Sequence, residues 1–169
     1  RDWSSDVCSS DLVVLNNEMD DFSAQPGVAN YFGLVGAEAN AVAPGKRPLS
    51  SMSPTIVLKD GKPILSVGAA GGPTIITQTL LAIIHTVDFG RDPADALAQP
   101  RFHQQWSPDE LRIEKKFPVE LRRELERRGH RLNELNSIGA CQAVGLARDG
   151  KTFLGAHDPR VTDGKANGL

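Results

Sequence analysis

Apolar and polar positions along this chain fall into short alternating runs, one long helical repeat and one shorter amphipathic one. Residues 13–15 form a brief apolar run that stops at Asn16 and Asn17, as a buried strand does. Two further runs, Thr55–Lys59 and residues 62–67, flank Asp60-Gly61. An Asp-Gly pair between apolar runs predicts a tight hairpin, because both central residues of that turn need positive φ. A Gly/Ala-rich turn is expected over residues 68–72. Pro73 suits a first helical position. From there Ile76, Leu80, Ile83, Ile84 and Val87 recur at helical spacing and predict a buried stripe. Gly90 lies just past the end of that helix. Asp92 can cap a short helix running to Leu97, with Pro93 in its first turn. Residues 102–106 and 111–114 read as extended, and residues 118–128 as a charged amphipathic helix stopped by Gly129. A second hairpin joins residues 142–147 and 152–156 around Asp149-Gly150. The order β-β-α-α-β-β-α-β-β, with no repeat and no linker, predicts a layered α+β domain.

Residues 27–47 break this pattern. They are rich in Gly, Ala, Asn and Pro without a period, and predict a long surface loop of the kind that often carries function. Composition changes little else. With 169 residues the chain can bury a core, and its 40% apolar and 24% charged content is ordinary for a globular protein. A formal charge of −2 leaves no basic footprint, which argues against a nucleic-acid partner. The longest apolar stretch, residues 75–87, is too short and too interrupted by Thr, Gln and His for a membrane span.

The first twelve residues, RDWSSDVCSSDL, are polar, acidic and unlike the rest of the chain. From Asp2 to Leu12 they back-translate to a string resembling a common sequencing-library adapter. Residues 1–12 are therefore expected to be a disordered translated artefact, set apart from the fold at 13–169; a disordered polar tail is the alternative. Excluding them removes Arg1, Asp2, Asp6 and Asp11 and leaves the rest formally neutral. Cys8 goes too. A disulfide within the chain is then excluded, and Cys141 reads as a small buried residue.

Three segments could carry chemistry. Glu18, Asp20 and Asp21 lie within four residues and could hold an ammonium group or a metal ion, or form a solvated acidic turn. A calcium loop is disfavoured, because the alternating ligand spacing is missing. Ser50 and Ser51 could donate to a carboxylate, or simply make a turn before a strand. Gly71 and Gly72 open the long helix, where free N–H groups can bind an anion or an oxyanion; a plain strand-to-helix turn is the alternative. No Lys-Ser/Thr comes after them, so this is not a phosphate loop. His85, His103, His130 and His157 are scattered without metal-ligand spacing, and no metal or cofactor is expected. His85, in the long helix, reads as structural. There is no Gly-x-Ser-x-Gly elbow.

The order of these motifs is more specific than any one of them. NNEMDDFS, a Gly/Asn-rich loop, KRPLSSMSPTIV, GAAGGPTIIT, AQPRFHQQW and a late DPR together resemble the γ-glutamyltransferase family from about Val13 to Arg160. The resemblance implies an N-terminal-nucleophile hydrolase, an αββα sandwich, here the C-terminal part of the small subunit with its N-terminal strands missing. It implies a self-cleaving precursor, a large-subunit partner and a glutathione-like γ-glutamyl substrate. An N-terminal Thr passes the glutamyl group to water or an amine, its own α-amine serving as base. By resemblance, Asp21 holds the substrate α-ammonium with help from Glu18, Ser50 and Ser51 donate to its α-carboxylate, and the N–H groups of Gly71 and Gly72 form the oxyanion hole. The family's nucleophile lies upstream of Asn16, where the adapter-like residues stand. Thr55 and Thr74 fall within other motifs and cannot replace it. The family's Thr-x-Asn segment and large-subunit Arg are also absent, so this chain alone is expected to be inactive and to expose a sheet edge. A periplasmic or extracellular location is implied by resemblance alone. The alternatives are a sibling acylase of the cephalosporin or glutaryl type, and a non-catalytic fragment or binding module.

Overall fold

The computed structural model describes residues 17–147, 149–162 and 164–166. The adapter-like residues, Cys8 and the expected strand at 13–15 lie outside the described residues. The chain divides into two compact units, one ending at Ser50 and the other beginning at Ser51.

Among its described residues the first unit has little regular structure. Glu18–Asp21 and Glu38–Asn40 are 3₁₀ turns, and Ser23 bridges Ala41 while Ala29 bridges Val35. Phe22 is its buried apolar anchor. The long loop expected over residues 27–47 is present. Asn30 shapes it by accepting from the N–H groups of Phe32 and Leu34, both at 3.0 Å. Gly36 lies so close to Ser23 that a Cβ there would stand 1.8 Å from its Oγ.

The second unit is the layered α+β structure. Strands β1 (Thr55–Lys59), β2 (Lys62–Ala70), β6 (Ala140–Leu146) and β7 (Phe153–Ala156) form an antiparallel sheet in the order β1-β2-β6-β7. A smaller sheet contains β3 (Phe102–His103), β4 (Leu111–Glu114) and β5 (Leu132–Leu135). Helix α1 (Thr74–Val87) packs on β2 and β6, and α2 (Pro93–Ala98) on β6 and β7. Helix α3 (Val119–Arg127) connects β4 to its parallel neighbour β5. Leu65, Val67, Ala82, Leu97, Cys141, Ala143 and Ala156 form the core. Strand β6 shows why: Cys141 and Ala143 point inward while Gln142 and Val144 point out, the period of two that a half-buried strand requires. Gly145 continues the inward face, where a Cβ would stand 2.6 Å from Pro93 Cγ, so its lack of a side chain lets α2 approach the sheet.

Both hairpins form as expected. Asp60 and Gly61 take φ of 51° and 74°, and the side chain of Asp149 accepts from the N–H groups of Lys151 and Thr152. The Asp92 cap also forms, accepting from Asp95 N at 2.9 Å.

Four expectations fail. The buried face of α1 is Ile75, Gln78, Thr79 and Ala82, whereas Ile76 and Leu80 are more than half exposed. The helix is apolar on more than one side, and only the position of β2 and β6 decides which side is covered. Residues 68–70 are strand, not turn. Gly68, Ala69 and Ala70 pair with Gln142, Cys141 and Ala140, and this pairing overrides their weak intrinsic strand preference. The extended run at 102–106 keeps only two strand residues, and Trp106 turns to positive φ. Strand β5 escaped the pattern altogether, because Leu-Asn-Glu-Leu has no β-branched residue and depends on its partner β4.

Candidate functional site

The end of β2, the glycine turn and the start of α1 hold one cluster of candidate residues in the second unit. Gly71 and Gly72 have φ of 138° and 57°, a region that favours glycine. Both of their carbonyls are occupied. Gly71 O accepts from Thr74 Oγ1 at 2.8 Å and Thr74 N at 3.3 Å. Gly72 O accepts from Ile75 N at 3.1 Å and from Ser51 Oγ at 3.0 Å. The fold thus brings Ser51 onto the glycine turn, although 21 positions separate it from Gly72. A serine has one proton to donate, and here it goes to the turn. A substrate carboxylate would have to draw that hydroxyl round to itself.

The other candidates lie in the first unit. Glu18 and Asp21 share a 3₁₀ turn, both partly buried, and Ser50 is exposed at the unit's end. Asn40 ties this turn to the serine segment. Its Nδ2 donates to Asp21 O at 2.8 Å and its Oδ1 accepts from Leu49 N at 2.9 Å. One amide therefore holds the backbone at Asp21 and at the neighbour of Ser50.

Behind the glycine turn lies a buried charge network that the sequence pattern did not single out. Arg101 pairs with Asp158 at 2.6 Å and donates to Gln78 Oε1, Ile138 O and Leu97 O. Arg160 pairs with Glu114 at 2.5 Å and with Asp158 at 3.1 Å, and also donates to Leu97 O and Gln99 O. Glu114 accepts from the N–H groups of Arg101 and Ile138, and Asp158 from that of Cys141. Burial alone would raise the pKa of Glu114, but the Arg160 guanidinium and the two backbone donors outweigh it and hold the carboxyl below its ordinary value. Asp158 is also held low: burial opposes ionisation, and the backbone N–H of Arg160 and the charge of Arg101 overcome it. Burial likewise opposes the charge on Arg160, yet Glu114 and Asp158 raise its pKa. Arg101 and Arg160 belong to the PRF and DPR motifs. Nothing in the local pattern paired them.

The remaining candidates stand apart. Burial pushes the Cys141 thiol up to about 11, so it is inert at neutral pH. His85 is partly buried in α1, with burial and then Arg91 lowering its pKa. His103 is buried between Thr77 Oγ1 and Gln105 Oε1, each at 2.9 Å. Among the described residues, no group of three or more His, Cys, Asp or Glu is placed to hold a metal ion, and no helix is long and apolar enough to cross a membrane.

A family model described as gamma-glutamyltranspeptidase matches residues 4–168. The match begins inside the adapter-like stretch. The glutathione hydrolase proenzyme of Escherichia coli (strain K12) is 50% identical over 157 residues, covering 93% of this chain and 27% of the relative. The chain thus spans just over a quarter of that relative's length. A Helicobacter pylori gamma-glutamyltranspeptidase crystal structure superposes with a TM-score of 0.82 at 44% identity, over 94% of this chain and 87% of that one. The crystal structure of cephalosporin acylase from Bacillus halodurans is less similar, with a TM-score of 0.65 at 30% identity over 72% of this chain and 23% of that one.

Proposed function

The chain belongs to the gamma-glutamyltranspeptidase family, and from that premise we propose that it is the C-terminal part of a catalytic subunit that cleaves γ-glutamyl bonds. The observation that carries this reading is the glycine turn. Its two carbonyls are tied down, and the Ser51 hydroxyl, from a distant motif, sits on it.

The substrate is glutathione or a related γ-glutamyl compound. Asp21, assisted by Glu18, accepts from its α-ammonium, and Ser50 and Ser51 donate to its α-carboxylate. An N-terminal Thr of the same precursor attacks the γ-carbonyl, and the oxygen that becomes negative is held by the N–H groups of Gly71 and Gly72. Collapse of the tetrahedral adduct expels the amine, which takes up a proton, and leaves a glutamyl ester. Water or an acceptor amine then releases the glutamyl group. The partner is the large subunit of the precursor, and the location is periplasmic or extracellular.

The likeness to a cephalosporin acylase gives a second reading, a sibling enzyme acting on another amide. A zwitterionic glutamyl head is what makes use of both the Glu18/Asp21 carboxylates and the serine pair, and this favours the first reading. The test compares the full-length gene product on a γ-glutamyl anilide and on a glutaryl amide. Release from the γ-glutamyl anilide is expected, with none from the 169-residue chain alone. Preference for the glutaryl amide would overturn the assignment.

A further inference from the structure

We propose that Gln78 is a positioning residue that aims both oxyanion N–H groups. The proposal rests on the oxyanion role proposed for Gly71 and Gly72. In a trans peptide the C=O and the following N–H point in opposite directions within one plane. Whatever holds the carbonyl therefore aims the N–H. The N–H of Gly71 shares a plane with Ala70 O, and that of Gly72 shares a plane with Gly71 O.

Gln78 reaches both planes from one side-chain amide. Its Nε2 donates to Ala70 O at 3.1 Å and to Thr74 Oγ1 at 2.9 Å. Thr74 Oγ1, its lone pair so engaged, donates its own proton to Gly71 O at 2.8 Å. One amide nitrogen thus holds the first plane directly and the second through a hydroxyl. The orientation of the amide is itself determined. Arg101 Nη1 donates to Gln78 Oε1 at 3.2 Å, and a guanidinium has no acceptor to offer, so the oxygen must face Arg101 and the nitrogen must face the turn. Arg101 is in turn locked on Asp158 at 2.6 Å. The relay from Asp158 through Arg101, Gln78 and Thr74 ends on the glycine backbone.

Gln78 is closely packed. It is 1% exposed. A Cβ at Gly139 would stand 2.1 Å from its Nε2 and 2.5 Å from Ala70 O, and one at Gly71 would stand 3.0 Å from the same Nε2. The chain keeps a positive-φ glycine at 139 where any side chain would displace this amide. A glutamine that merely filled space would need neither the two-ended polar contact nor that clearance.

The test uses the full-length gene product with a γ-glutamyl anilide, and kcat is expressed per mole of subunit-cleaved enzyme. Gln78→Glu keeps the shape but offers Ala70 O an acceptor in place of a donor, and draws the Thr74 proton away from Gly71 O. Losing one oxyanion donor costs about 100-fold to 1000-fold in kcat. Misaiming two without removing them is expected to lower kcat by roughly 10-fold to 100-fold. KM should stay near wild type, because the proposed ammonium and carboxylate contacts are elsewhere, and kcat is compared on protein shown to be folded. Thr74→Val should lower kcat in the same way and Thr74→Ser, which keeps the hydroxyl, should restore it; this pair decides the matter if Gln78→Glu does not fold. An active wild type whose folded Gln78→Glu variant, or whose Thr74→Val variant, retains full kcat overturns the inference alone. A wild type that releases no anilide overturns the proposed function, and the inference with it.

Discussion

The acidic turn of the first unit and the glycine turn of the second are stabilised in opposite ways. Around Glu18 and Asp21 the described chain is held by short-range turns and by side chains such as Asn40 and Asn30 that donate to its carbonyls, in a region where Phe22 is the main buried apolar group. Around Gly71 and Gly72 the backbone stands on a buried relay, with Asp158 and Arg101 almost wholly removed from solvent and Glu114 and Arg160 packed against them. The difference tracks the chemistry proposed for each. A carboxylate that grips a solvated ammonium can tolerate some freedom. N–H groups that stabilise charge only in a transition state must be aimed beforehand.

The largest effect should come from breaking the relay at its charged end. Asp158→Ala leaves Arg101 buried without its carboxylate, and loss of one partner of a buried pair costs about 3–5 kcal/mol. Asp20→Asn, on the exposed side of the acidic turn, should change stability by less than about 0.5 kcal/mol. Urea denaturation of the full-length protein measures both, and an Asp158→Ala variant as stable as Asp20→Asn would end the contrast.

A smaller effect is expected at Asn40. Asn40→Ala removes two hydrogen bonds to backbone, for a cost of about 1–2 kcal/mol. Its kinetic signature sharpens the comparison. Loosening the substrate-head side should raise KM for the γ-glutamyl anilide and leave kcat largely intact, the reverse of the pattern expected at Gln78. A fall in kcat with unchanged KM would show that the two turns do not divide the work in this way.

The smallest effect near neutrality is the pH dependence of the relay. The pKa values of Glu114 and Asp158 are lowered in the folded protein. Below the ordinary carboxylate range the unfolded chain therefore binds more protons than the folded one, and acid favours unfolding. The stabilisation from these groups is complete above their unfolded pKa and is lost as pH falls through the lowered folded values. Urea midpoints tracked from about pH 7 to about pH 3 should be level at first and then fall, with a shallower acid slope in Glu114→Gln. An equal slope in that variant would remove Glu114 from the account.

Local rules fixed the turns and helix starts. Asp60-Gly61 and Asp149-Gly150 encode their turns because few residue pairs tolerate positive φ, and Asp92 encodes a helix start because its carboxylate can reach Asp95 N. The burial of Cys141 was legible from its size and polarity. Motif order picked out the candidate residues, and of these Ser51 and Gly72 meet in the second unit. Where the pattern failed, the deciding partner was remote. The covered face of α1 depends on β2 and β6, β5 depends on β4, and residues 68–70 become strand only because β6 lies alongside.

By itself the sequence determined the hairpins and the places of the helices along the chain, and motif order picked out the candidate residues. These depend on neighbours a few residues away or on motif order, and both are written along the chain. Only the tertiary structure decided that Gln78 faces the glycine backbone rather than solvent, and that Arg101, Glu114, Asp158 and Arg160 converge behind it. A buried charge is tolerable only when its partners arrive from elsewhere in the fold. Those partners here are up to 63 positions apart, beyond the reach of any local period.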